Sequence, residues 1–110
     1  IRRVYNDYSY LLDPHTAVAW RACEKYRLVS SDDRYAVVVS TASPYKFSAD
    51  VYAALKGEEE GLKPFDALHK LHELTDVLVP AKMLQIETMP VLHKEVIATE
   101  KMAEAVKNSI

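Results

Sequence analysis

Two short segments of the chain gather groups that could do chemistry. In Asp13-Pro14-His15-Thr16-Ala17-Val18-Ala19, a carboxylate, an imidazole and a hydroxyl stand at the opening turn of an otherwise apolar helix. In Ser40-Thr41-Ala42-Ser43-Pro44-Tyr45-Lys46-Phe47, hydroxyls and an ammonium follow a run rich in β-branched residues. A polar turn of the second kind can hold an anion or a partner, because free backbone N–H groups and a helix dipole converge where an extended segment meets a helix start. Each segment also has a plain structural account. Asp13 can be a helix cap with Thr16 closing the first turn, and the second segment an ordinary turn; spacing alone leaves both accounts open.

The remaining candidates read as structural. His69 and His72 are three apart on a helix and share a side, as a metal pair would. At about 100° per residue, however, His72 falls inside the apolar arc between Phe65 and Leu68, with His69 at its edge, so partly buried, hydrogen-bonded histidines are expected. His93 has no companion ligand in sequence. Cys23, the only cysteine, lies on an apolar helix face, where it behaves as a small hydrophobe. The triplet Glu58–Glu60 reads as a solvated loop.

The elements that must position these groups follow from periodicity. Ile1, Val4, Tyr5 and Tyr8 form a helical stripe with no capping residue before it, which leads to the expectation of a chain cut from something longer. Ser9 to Leu12 is a short extended link. Asp13-Pro14 sets the start of a second helix running to about Arg27, with Ala19, Ala22, Cys23 and Tyr26 inward and Arg21, Glu24 and Lys25 outward. Val29 to Arg34 reads as a polar connection. Tyr35-Ala36-Val37-Val38-Val39 lacks alternation and reads as a strand buried on both faces of a parallel sheet. Ser43-Pro44 breaks it, and a helix from about Tyr45 or Phe47 to Lys56 completes a βα unit. Pro64 opens a helix through about Thr75, Ala81 to Ile86 forms a further helical turn, and His93 to Ala98 reads as an edge strand. Thr99 caps a last helix with Met102, Ala105, Val106 and Ser109 on one side. The expected fold class is α/β: a helix-rich partial sheet containing a βα unit.

Composition sets the bounds. A chain of 110 residues, 49% hydrophobic and 27% charged, is one domain or fragment of a globular protein, with no membrane span. Fourteen Lys and Arg against sixteen Asp and Glu give a net charge of −2, which removes the basic footprint a general nucleic-acid binder needs. A lone cysteine allows neither an internal disulfide nor a cysteine-rich zinc site and fits a reducing, cytoplasmic setting. The two glycines, Gly57 and Gly61, form no phosphate-cradling pattern.

Tyr10-Leu11-Leu12-Asp13-Pro14-His15-Thr16-Ala17-Val18-Ala19, followed by Ser40-Thr41-Ala42-Ser43-Pro44-Tyr45-Lys46-Phe47, resembles the carboxyl-terminal portion of threonine synthase, with its DPHTA-type helix start and TAxPxKF-type turn. The resemblance implies a C-terminal fragment of a fold-type II pyridoxal phosphate enzyme. The implied reaction turns O-phosphohomoserine and water into threonine and phosphate: protons leave the α and then the β carbon, phosphate leaves the γ carbon, and water adds at the β carbon. The family sets a hydroxyl against the cofactor's ring nitrogen, and the match puts Thr41 there. A neutral O–H suits an unprotonated pyridine nitrogen, whereas an ionised Asp favours the pyridinium.

His15 and Thr16 are implied to line the cleft. Lys46 matches the lysine before Phe and stands near the site or in a structural ion pair. It is not the Schiff-base lysine, which, like the phosphate cradle, belongs upstream. The family often carries His and Ala where Ser43 and Tyr45 stand, so no role passes to those two. A fragment of this kind is expected to be inactive alone. It should meet its small-molecule substrate only with the rest of the enzyme, and is expected to self-associate through the uncovered Tyr35–Val39 strand. The alternatives are a non-enzymatic α/β module whose polar turn binds a partner or anion, and a complete small enzyme using His15, Ser43 or Cys23.

Overall fold

The computed structural model describes residues 1–57 and 61–108, so the Glu58–Glu60 triplet and Ser109 lie outside the described residues. Among the described residues there are six α-helices: α1 (Arg2–Tyr8), α2 (Pro14–Ser30), α3 (Ser48–Lys56), α4 (Pro64–Thr75), α5 (Ala81–Thr88) and α6 (Met102–Asn108). Single 3-10 turns, Pro44–Phe47 and Thr99–Lys101, lead into α3 and α6. Proline occupies the first position of α2 and of α4, where its missing N–H costs no hydrogen bond. α3 ends on Gly57 at φ 86°, a left-handed conformation that glycine adopts without a Cβ penalty.

The core is small and lies where α3 packs on α4. Leu11, Tyr45, Val51, Leu68 and Leu71 form its buried cluster, with Tyr5, Phe47, Phe65 and Val77 packed against it. Burying side chains such as Leu71 and Val51 contributes about 1.5–3 kcal/mol each. α1 is fastened to this core by polar ties as well: Arg2 Nε donates to the Ala54 carbonyl at 2.9 Å and Tyr5 Oη to the Thr75 carbonyl at 3.2 Å. α2 is attached to α1 by the Arg3–Glu24 ion pair and by the tilted Tyr8 and Trp20 rings, 5.9 Å apart.

The expected partial sheet is overturned: among the described residues there is no strand, and the βα unit is instead an extended segment, a 3-10 turn and a helix. No backbone group of Tyr35–Val39 is hydrogen-bonded within the described residues. The segment lies along α1 and α2, its even members Ala36 and Val38 lining a groove with Tyr8 and Trp20. Its odd members Tyr35, Val37 and Val39 are 105%, 89% and 69% exposed. The reason is that a strand is a cooperative element. β-branched residues favour extended backbone, but a ladder needs neighbouring strands, and every regular element among the described residues is a helix. The expected edge strand His93–Ala98 is likewise an exposed coil.

Three details of the helices also differ from expectation, the first being that α2 runs on to Ser30, past the expected end near Arg27 and into the expected Val29–Arg34 connection. α2 turns Thr16, Ala17, Trp20, Cys23 and Glu24 inward, leaving Ala19, Ala22 and Tyr26 exposed, because the aromatic contact and the Arg3 ion pair decide which face docks. Thr99 makes no cap hydrogen bond and opens a 3-10 turn, with Ala98 preceding it. No described residue beyond Met89 is fully buried. The radius of gyration is accordingly 18.5 Å, against about 13 Å for a compact domain of this length.

Candidate functional site

The site begins at the start of α2. Asp13 is fully buried, in extended conformation, and its carboxylate accepts from the His15 backbone N–H at 3.0 Å and the Thr16 backbone N–H at 3.3 Å. The Thr16 hydroxyl donates to the other carboxylate oxygen, and His15 Nδ1 lies 3.2 Å from the first. Burial alone would raise the Asp13 carboxyl. The hydrogen bonds from Thr16 and His15 outweigh it and hold the carboxyl below its usual range. Asp13 is therefore an ionised, internally satisfied group rather than a base open to a ligand.

From there the chain reaches the second segment at two points. Thr16 Oγ1 lies 3.4 Å from Ser40 Oγ, and the His15 and Phe47 rings meet at 5.0 Å with a 56° tilt. Two consecutive residues of α2 thus clasp both ends of the 40–47 segment. Between those ends Ser43 caps the 3-10 turn by accepting from the Tyr45 N–H at 3.3 Å. Tyr45 is buried, its phenol donating to the Val77 carbonyl, and burial raises its pKa above the ordinary tyrosine value. The turn is pinned below by Tyr45 and at both ends by α2.

The clasp presents Thr41 and Lys46 outward. Thr41 is exposed, and among the described residues its hydroxyl has no hydrogen-bond partner; Lys46 is exposed and forms no ion pair among them. Lys46, Phe47, Asp50 and Phe65 contribute to a cleft of about 310 Å³ between the turn, α4 and α5. His15 is largely exposed and Thr16 is buried. The two segments are therefore brought together, with Thr16 as the inner link and Thr41, Lys46 and His15 at the surface.

The family model described as "Threonine synthase, C-terminal" matches residues 16–110. The chain belongs to the threonine synthase C-terminal family. Membership ties the chain to threonine biosynthesis and implies pyridoxal phosphate in the whole enzyme. The matched stretch opens at Thr16, the residue that joins α2 to Ser40, and contains all of the 40–47 turn. No curated protein and no solved structure matches the chain.

His69 and His72 take structural positions in this threonine synthase segment. His72 is partly buried with Nδ1 2.9 Å from the Val77 carbonyl, as expected, whereas His69 has the expected partner, its Nε2 pairing with Glu87 at 2.9 Å across α4 and α5, but is exposed rather than partly buried. Among the described residues no His, Cys, Asp or Glu cluster could hold a metal, and no helix is long and apolar enough to cross a membrane. Sequence reasoning treated Asp13 as a plain cap and missed Ser40 as its indirect partner. The three-residue spacing from Asp13 to Thr16 was the available signal for the first half of that connection; nothing local announced the second.

Proposed function

We propose that this chain forms one wall of the pyridoxal phosphate site of a threonine synthase, with Thr41 as donor to the cofactor's ring nitrogen and O-phosphohomoserine as substrate. The observation that carries this reading is the exposed Thr41 hydroxyl, unengaged among the described residues and standing on a turn clasped at both ends. The donor chemistry fits. The 40–47 segment has hydroxyls and no carboxylate, and the nearby Asp13 is buried and saturated by its own donors. A neutral O–H can donate to a pyridine nitrogen without forcing a proton onto it. When bound, pyridoxal phosphate supplies the electron sink for removing protons from carbon.

The chain's own groups then divide the remaining work. Thr41 orients the ring edge, Lys46 offers an ammonium to an anionic group of the substrate, and Phe47 with Phe65 gives the adjoining cleft an apolar wall. The chain by itself is inactive in this reading, since the lysine that holds the cofactor and the phosphate cradle lie in another part of the enzyme. Two measurements test it. Thr41→Val in the whole threonine synthase should weaken cofactor binding or slow turnover while leaving the circular dichroism spectrum intact; unchanged kinetics and binding would remove Thr41 from the role. The chain alone, mixed with pyridoxal phosphate and O-phosphohomoserine, should release no phosphate, and measurable turnover would refute the division of labour.

A further inference from the structure

We infer that Asp13, acting through Thr16 and Ser40, is the positioning device for Thr41. The inference rests on the reading of Thr41 given above. The buried Asp13 carboxylate accepts the hydrogen bond that the Thr16 hydroxyl donates, which fixes the direction of that hydroxyl and turns a lone pair of Thr16 Oγ1 outward. Ser40 Oγ lies 3.4 Å from that oxygen, near enough to donate to it, and Ser40 is covalently next to Thr41. No other hydrogen bond from the described residues holds Ser40, Thr41 or Ala42, so this relay and the His15–Phe47 contact are what set the turn against α2. An ionised acceptor at the head of the relay makes the first hydrogen bond a strong, directional one. The negative charge stays at the buried end and does not reach the ring, so Thr41 remains a neutral donor.

The relay predicts a pattern of variants in the threonine synthase that carries this chain. Thr16→Val keeps shape and both backbone bonds to Asp13 but removes the hydroxyl; Ser40→Ala removes the next link at an exposed position where folding is not at stake. Each should raise the dissociation constant of pyridoxal phosphate from the apoenzyme about three- to tenfold, the size expected for one intramolecular hydrogen bond. Each should also shift the bound cofactor's absorption in the same direction as Thr41→Val. Thr16→Ser should restore both readouts, and the double variant should be no worse than the worse single, because both cut one chain of contacts. In the apoenzyme, amide exchange of the peptide spanning residues 40–47 should quicken in Thr16→Val and Ser40→Ala.

If Thr41→Val shifts the cofactor and the other two do not, the relay is wrong and the role of Thr41 stands. If Thr41→Val is silent, that role falls and the relay's purpose falls with it. Should Thr16→Val fail to fold, Ser40→Ala alone decides between these outcomes.

Discussion

Replacing Asp13 by alanine removes three donors' acceptor at once, and the structure sets the size of the loss. An N-cap carboxylate contributes about 1 kcal/mol, and a buried hydrogen bond to a charged group about 1.5–3 kcal/mol. The desolvation that raises the Asp13 carboxyl works against both, so a net cost of about 2–3 kcal/mol is expected. Urea denaturation of the 110-residue chain, followed by far-ultraviolet circular dichroism, reads this directly. With a slope of about 1–3 kcal/mol per molar, the midpoint should fall by about 0.7–3 M. Asp13→Asn retains an acceptor for the backbone N–H groups but replaces the other oxygen with an NH₂ facing the Thr16 hydroxyl, and should fall between wild type and Asp13→Ala. The sign with pH is fixed by the same contacts. A carboxyl whose folded pKa is depressed stabilises fully above its unfolded value, and that stability is lost as pH falls through the folded value. Wild type should therefore lose more stability than Asp13→Asn on descending below about pH 4. A loss under about 0.5 kcal/mol for Asp13→Ala would refute the account of Asp13 as the anchor of the site.

The remaining predictions concern the periphery. Arg34 hydrogen bonds hold the Asp32 carboxyl down at about 2, so the clamp between them persists through the ordinary carboxylate range and opens only as pH drops toward that value. Carbon-detected NMR titration should show Arg34→Ala returning Asp32 toward about 3.9, and no change would place the cause elsewhere. Tyr45→Phe should cost only about 1 kcal/mol in a thermal melt, because His72 Nδ1 also meets the Val77 carbonyl and keeps it satisfied. A cost above about 3 kcal/mol would mean the phenol holds more than this one contact. The chain alone should self-associate through Tyr35, Val37 and Val39, with Val37→Lys reducing it; light scattering that reports a strict monomer at all concentrations would count against that surface.

What the sequence made legible was local chemistry. Asp13-Pro14 located the start of α2 because a cap and a first-position proline act within one turn. Pro64 located α4, whose observed span Pro64–Thr75 matches the apolar arc, and Ala81 located α5. The two segments expected to carry function do meet, at Thr16–Ser40 and His15–Phe47. Thr41 is exposed, and the role expected of it needs an open hydroxyl. What failed depended on partners. The Tyr35–Val39 run is rich in strand formers and has no strand to pair with among the described residues, while α2 has apolar residues on two sides. A hydrophobic stripe through Ala19, Ala22 and Tyr26 lost to the side where Trp20 meets Tyr8 and Glu24 meets Arg3. Both contacts join α1 to α2 across a break in the helix, beyond what spacing within one helix can rank.

That contrast bears on how the site is held. The α3–α4 core satisfies its own apolar groups, as the full burial of Leu71 and Val51 shows, and Tyr45 ties the 3-10 turn to it. Ser40–Ala42 receives no such support from below and sits at the end of an extended segment whose outward side chains are uncovered. A donor that must meet a ring nitrogen at hydrogen-bonding distance tolerates errors of only a few tenths of an ångström. With a soft segment on one side and a rigid turn on the other, the fixed point nearest Thr41 is the Thr16 hydroxyl, itself immobilised by the Asp13 charge. On the proposed role of Thr41, the precision of the site depends less on the residue that would touch the cofactor than on a buried carboxylate that would not.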